Sequence, residues 1–275
     1  MEKEKMEKNN CVDEQKAGSG QKIIEVRSIT LGDGVPKICI PVTAHDEREL
    51  RTQIEKILEA PCDMVEWRAD FFEDYRTPGW LPEMLGILRN ALGEIPLLFT
   101  FRTKAEGGER EVTLEEYEQI NLEAASTGIP DLLDLELNRG ERFFCDIIRK
   151  LHASGTKVIG SFHDFDQTPG KEGIIEILCT MQKCGADITK AAVMPRKEED
   201  VLALLEASLE MKRYKSDRPF ITMSMGSLGA VSRLAGSLTG SALTFATAGR
   251  ASAPGQMEAE LLARLLPSMI VEKSR

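Results

Sequence analysis

The sequence predicts an α/β chain folded as a closed (β/α)8 TIM barrel, with a short N-terminal β-hairpin over the barrel base. Eight short β-type runs start roughly 25 to 35 residues apart, the length of a strand plus its crossover helix. Amphipathic stretches fill the gaps between them. No G-x-G-x-x-G follows the first run, so the usual signature of an open dinucleotide-binding sheet is missing. Eight βα units in succession favour a closed barrel over a doubly wound sheet.

Residues 1 to 20 open with MEKEKMEKNN and reach KAGSG, too charged and polar to bury, and are expected to form a disordered tail. That leaves 21–275 as a single catalytic barrel. The segment IIEVRSITLGDG reads as a strand and turn, the start of the hairpin. The barrel runs are KICIPV (37–42), MVEWRA (64–69), PLLFTFR (96–102), DLLDLEL (131–137), KVIGSFH (157–163), DITKAAV (187–193), PFITMSM (219–225) and ALTFATA (242–248). After the fourth run, Phe143, Ile147 and Leu151 recur at helical spacing with Phe144 and Ile148 beside them. After the sixth, Val201, Leu204, Leu205 and Leu209 form one stripe. Thr113 and Glu116 have the spacing of a capping box at the start of a helix.

A length of 275 residues suits one barrel, and 42% apolar residues suffice for its core. With 35 basic against 45 acidic side chains the net charge is −10, which excludes a general nucleic-acid binder. A local group of arginines can still hold a small anion. The N-terminus lacks the apolar core of a secretory signal, and no run of about 18 apolar residues occurs, so a cytoplasmic chain without a membrane span is expected. The six cysteines (Cys11, Cys39, Cys62, Cys145, Cys179 and Cys184) include no C-x-x-C pair; reduced thiols and no zinc site are expected.

A barrel carries its active site at the C-terminal ends of its strands, so charges late in apolar runs are the informative residues. Glu66 and Arg68 share a face of the second run, Arg102 ends the third, and Asp134 and Glu136 share a face of the fourth. His163 ends the fifth and Lys190 lies inside the sixth. Burying such groups is costly unless they pair, so a set this dense implies a compensated network or a ligand. Lys190 sits between apolar and small neighbours in ADITKAAV. A desolvated lysine, or one near cations such as Arg68 and Arg102, is more often the neutral amine that attacks a carbonyl. The competing reading makes it an ion-pair partner of Asp134 or Glu136. His163 has the ordinary pKa range of a general acid/base. SMGSLGAVSRLAG and AGRASAPGQ, after runs seven and eight, read as turns, a phosphate cradle or, for ASAPGQ, a mobile lid. Arg233 is placed to hold a carboxylate by two parallel hydrogen bonds.

Six segments taken in order, EWRADFF, FTFRTKAEGG, GSFHDF, ADITKAAVMP, MSMGSLGAVSRLAG and GSALTFATAGRASAPGQ, resemble type I 3-dehydroquinate dehydratases. The resemblance implies dehydration of 3-dehydroquinate to 3-dehydroshikimate in the shikimate route, through an imine on Lys190. It implies His163 as the proton-transfer catalyst, Glu106 as the residue that orients it, and Glu66, Arg68, Arg102, Arg233, Ser252 and Gln256 as substrate-binding positions. No metal or organic cofactor is implied, and the partner is an anionic cyclic keto acid bound by a homodimer. Pro41 stands where many members have a serine, which puts one peripheral substrate hydrogen bond in doubt. Two other readings are a class I Schiff-base aldolase acting on a sugar phosphate and a catalytically silent binding barrel.

Overall fold

The computed structural model describes residues 23–249 and 252–270. The expected tail, residues 1 to 20, lies outside the described residues. A two-stranded antiparallel hairpin comes first, β1 (Ile24–Val26) and β2 (Ile29–Leu31), with Ile24 opposite Leu31. Its tight turn holds Arg27 at a φ of 47°, and the Arg27 side chain reaches Asp131 and Glu94 at the start of later barrel strands.

Eight parallel strands follow: β3 (Lys37–Val42), β4 (Met64–Arg68), β5 (Leu97–Thr100), β6 (Leu132–Glu136), β7 (Lys157–Asp164), β8 (Ile188–Val193), β9 (Phe220–Ser224) and β10 (Leu243–Thr247). They pair in sequence order from β3 to β9, and β10 pairs with β3. The seam between β9 and β10 closes on the Phe220–Ser241 bridge and the hydrogen bond from the Ala242 N–H to the Phe220 carbonyl at 2.8 Å. A two-residue strand, β11 (Met257–Glu258), adds parallel to the top of β10. Each sequence run thus becomes a strand whose ends lie within two residues of the expected ones.

Between the strands run α1 (Glu47–Leu58), α2 (Trp80–Leu92), α3 (Leu114–Ser126), α4 (Glu141–Ala153), α5 (Lys171–Lys183) and α6 (Glu198–Glu210). The shorter α7 (Ala230–Leu234) and α8 (Gly236–Thr239) follow β9, and α9 (Ala259–Leu265) ends the described barrel. The capping box at Thr113 and Glu116 is present at the start of α3. Helix α4 buries Phe144, Ile147, Ile148 and Leu151 of the predicted stripe and leaves Phe143 half-buried. Helix α6 differs. It buries Val201, Leu204, Ala207 and Ser208, leaving Leu205 and Leu209 only half-buried, because Ser208 turns inward to hydrogen-bond Thr222 on β9 at 2.7 Å.

Alternation along the strands divides the core in two. Outward residues such as Trp67, Phe99, Leu133 and Val158 pack against the helices. Gly160 belongs to this layer because a Cβ there would lie 2.7 Å from the Phe144 ring of α4. Inward residues Cys39, Met64, Leu98, Leu132, Ile159, Ile188 and Ile221 form an apolar floor, and the hairpin seals it from below with Ile24, Val26, Ile29 and Leu31. The next inward positions above that floor are polar.

The expectation of reduced thiols needs correcting, because Cys145, Cys179 and Cys184 are disulfide-bonded. Cys145 on α4 and Cys184 at the end of α5 are joined by a disulfide, their Cα atoms 4.7 Å apart. Two helices flanking the same strand bring together cysteines that are 39 residues apart in sequence, a proximity that spacing alone does not reveal. Cys39 and Cys62 are free thiols, and Cys11 lies outside the described residues. Among the described residues no helix is long and apolar enough to cross a membrane.

Candidate active site

Period-two alternation lifts Glu66 and Arg68 from β4, Thr100 from β5, Asp134 and Glu136 from β6, Ser161 and His163 from β7 and Lys190 from β8 to the inside of the barrel, above the apolar floor. Arg102 follows two residues after Thr100, beyond the end of β5. All are buried except His163, which is half-buried and keeps 10% of its side-chain surface exposed.

Arg102 is the hub of this layer. One end of its fork donates to Asp134 at 2.7 Å and the other to Ser161 at 2.9 Å, with Glu106 and Glu136 each at 3.3 Å. Burial alone would lower its pKa, but Asp134, Glu136 and Glu106 together raise it, so the guanidinium stays charged. Asp134 gains in return: burial opposes ionisation, yet Arg102 and Lys190 hold the carboxyl below its usual range. Glu136 is occupied by the Thr103 N–H and hydroxyl, both at 2.7 Å.

The Lys190 ammonium lies 3.2 Å from Asp134, 3.9 Å from Glu66 and 4.5 Å from the centre of the Phe245 ring. The ion pair with Asp134 weighed for this lysine is therefore present, and Glu136 is not its partner. Arg68 and Arg102, the cations expected beside it, spend their forks on carboxylates instead. Lys190 also faces the same cavity as His163. Strand pairing sets Ser161 beside Lys190, so His163 stands one inward position higher on the adjacent strand.

His163 meets Glu106 through Nδ1 at 2.8 Å, and the Phe165 ring stacks on it with centroids 6.5 Å apart. Gly107, at a φ of +78°, makes room for that ring, because a Cβ there would lie 2.3 Å from it. Burial, then the charges of Arg102, Lys190 and Arg68, pushes the imidazole well below its usual pKa. Burial pushes the Glu106 carboxyl up, Arg102 pulls it back, and Glu136 and Asp134 add to the rise. Shifts in these opposite directions disfavour a standing imidazolium–carboxylate pair.

Arg233, from α7, closes the cavity from the side. It donates only to backbone carbonyls, those of Phe245 at 3.3 Å and Pro254 at 3.0 Å, and its buried Nε has no partner among the described residues. Burial without an opposing carboxylate lowers its pKa to about 10. On the segment after β10, Ser252 and Gln256 clasp each other: the Ser252 N–H donates to the Gln256 carbonyl at 2.8 Å and the Gln256 amide to the Ser252 hydroxyl at 2.9 Å.

The nine residues singled out in the sequence, Lys190, His163, Glu106, Glu66, Arg68, Arg102, Arg233, Ser252 and Gln256, all line one cavity. Met223, Met225, Ala192 and Phe245 supply its apolar wall. Ala192 was read as a small neighbour of Lys190, whereas Met223, Met225 and Phe245, together with Asp70 and Ser161, escaped the sequence reading, which weighed charges inside strands and passed over most apolar wall positions and turns. Pro41 is buried in β3 beside Glu66 and is not among the lining residues. Among the described residues no group of three or more His, Cys, Asp or Glu side chains is arranged to hold a metal ion.

The family model for type I 3-dehydroquinase matches residues 38–273, which spans every strand of the barrel. The chain belongs to the type I 3-dehydroquinase family. It is 45% identical over 234 residues to the 3-dehydroquinate dehydratase of Clostridioides difficile strain 630, covering 85% of this chain and 92% of that one. Against the Klebsiella pneumoniae strain 342 enzyme of the same name the identity is 46%, over 85% and 93% of the two chains. The crystal structure of the type I 3-dehydroquinate dehydratase from Clostridium difficile with covalent modified comenic acid superposes with a TM-score of 0.87 at 43% identity, over 90% of this chain and 98% of that one. A Vibrio cholerae 3-keto-L-gulonate-6-phosphate decarboxylase, at 10% identity and a TM-score of 0.56 over 86% and 100% of the two chains, shares the fold alone.

Proposed function

We propose that the chain dehydrates 3-dehydroquinate to 3-dehydroshikimate, through a Schiff base on Lys190 with His163 as general acid/base. The observation that carries this is a buried lysine and a half-buried histidine on adjacent strands of one cavity, with an arginine beside them that lacks a carboxylate. That the Clostridium difficile relative is solved with covalent modified comenic acid supports a covalent step. Family membership favours this reading over the sugar-phosphate aldolase.

The chemistry follows from the positions. Asp134, 3.2 Å from Nζ, accepts from the ammonium and then faces the positive imine formed when Nζ adds to the ketone and water leaves. That imine is the electron sink. In the tautomer that carries its proton on Nδ1, 2.8 Å from Glu106, Nε2 is free to take the proton from C2, next to the imine carbon. The C1 hydroxyl then departs as water with the proton from His163, and hydrolysis of the imine frees Lys190 and the enone. Arg233 takes the substrate carboxylate, filling the charge it lacks, and Ser252 and Gln256 cover the ring. The same proposal includes residues 21–275 as one catalytic barrel, the shikimate route as its setting, and a cytoplasmic homodimer.

The test is direct. Incubation with 3-dehydroquinate and borohydride should leave a stable adduct on the peptide containing Lys190, read by mass spectrometry, and the free enzyme should form an ultraviolet-absorbing enone. Lys190→Ala should abolish both. No adduct and no enone from the unaltered protein would defeat the proposal.

A further inference from the structure

The aim of Arg68 is set by a carboxylate outside the cavity. Asp70 is fully buried and sits in the single 3-10 turn Ala69–Phe71 that follows β4. Its Oδ1 accepts from Arg68 Nε at 2.8 Å and from the Arg102 backbone N–H at 3.2 Å. Its Oδ2 accepts from Arg68 Nη2 at 2.8 Å and from the Glu109 N–H at 3.1 Å. The Phe71 ring lies 4.9 Å from the guanidinium carbon. Arg68 Nη1 has no hydrogen-bond partner among the described residues, and Arg68 lines the cavity while Asp70 does not.

We infer that Asp70 is a positioning residue for substrate binding: it locks two corners of the Arg68 fork so that the Nη1 edge meets an oxygen of the bound cyclic acid. The identity of that acid rests on the function proposed above. Two physical arguments carry the inference. An arginine held only when ligand arrives loses its side-chain freedom at that moment, whereas this one is ordered when the chain folds. The clamp also keeps Arg68 from turning onto Glu66, the carboxylate two residues earlier on the same face, so that Glu66 stays with Thr100 at 2.9 Å and near Lys190. An amide cannot replace this carboxylate, because each oxygen already accepts two N–H groups and an NH2 in either place would face donors.

The experiment is a cycle of Asp70→Asn, Arg68→Met and the double variant, with KM, kcat and thermal midpoint measured on 3-dehydroquinate. Loss of an aimed charged hydrogen bond should raise KM about 10- to 100-fold in each single variant, with kcat within about threefold of the parent. The double variant should be no more than about threefold worse than Arg68→Met, because no fork remains to aim. Multiplicative effects on KM, or a fall in kcat with KM unchanged in Asp70→Asn, overturn the inference. Should Asp70→Asn fail to fold, Arg68→Lys decides. It keeps the charge and loses the bidentate clamp, so KM must rise as in Arg68→Met, and a parental KM overturns the inference. Absence of turnover in the unaltered enzyme sinks the functional proposal instead, whereas an active parent with a normal Arg68→Lys sinks only the role of Asp70.

Discussion

At the scale of the residue, the site is a problem in holding many charges out of water at once. Each carboxylate near Arg102 would be costly alone, and the shared guanidinium makes the group tolerable. The same cations act on His163 in the other direction. With its folded pKa depressed by burial and by Arg102, Lys190 and Arg68, the imidazole stays unprotonated as pH falls through 6.5 and gains its proton only well below that. A base must be unprotonated to work, so the acid limb of kcat/KM should lie below pH 6.5. A pH–rate profile whose acid limb lies above 6.5 would contradict the assignment of His163. Lys190 and His163 were legible in the sequence because an ionisable group in an apolar strand stands out. Asp70 was not, since the strand ends at Arg68 and the period of two no longer says where the next side chains point. The Lys190–Asp134 contact, one of two ion pairs the sequence offered for this lysine, joins strands that are not neighbours in the sheet, across the barrel interior, and the choice of Asp134 over Glu136 needed the structure.

At the scale of the element, strands were easier to read than the faces of helices. A strand buried on both sides is a plain apolar run, and only its charges need explaining, whereas a helix chooses its face by what the barrel presents. The inward turn of Ser208 toward Thr222 moved the buried stripe of α6 away from Leu205 and Leu209 for that reason. The segment after β10 shows how loop geometry reaches the chemistry. The Pro254 carbonyl accepts from Arg233 and from the Gly226 N–H, while Gly255, at a φ of +77°, passes so close that a Cβ would lie 2.2 Å from the Gly226 carbonyl oxygen. Gly255→Ala therefore combines a left-handed backbone cost of about 1–2 kcal/mol with a steric clash. The segment would shift outward, taking Ser252 and Gln256 from the cavity and a carbonyl from Arg233. Such a loss corresponds to a rise in KM of about tenfold. Borohydride trapping at saturating substrate should persist, because Lys190 is on a different strand. Loss of trapping at saturation would show that the segment serves the covalent step and not binding.

At the scale of the whole molecule, the barrel is three layers stacked along its axis: hairpin, apolar floor and polar site. The division has a physical basis. An amine buried beside carboxylates needs walls that admit no water from beneath, and Leu31, 1% exposed, is part of the seal. The sequence indicated the hairpin, but its seat beneath the floor depends on contacts from every strand that supplies it. Leu31→Ala should open a cavity among these residues and cost roughly 2–5 kcal/mol. For a chain of this size that lowers the melting midpoint by roughly 5–15 °C. The groups proposed as catalytic begin one inward position above the floor and are held by their own hydrogen bonds, so kcat at 25 °C should stay within about twofold of the parent. Calorimetry and a rate measurement on the same preparation separate the two outcomes. A large fall in kcat at an unchanged melting midpoint would mean that the hairpin takes part in the chemistry, and the view of the base as a purely mechanical seal would have to be abandoned.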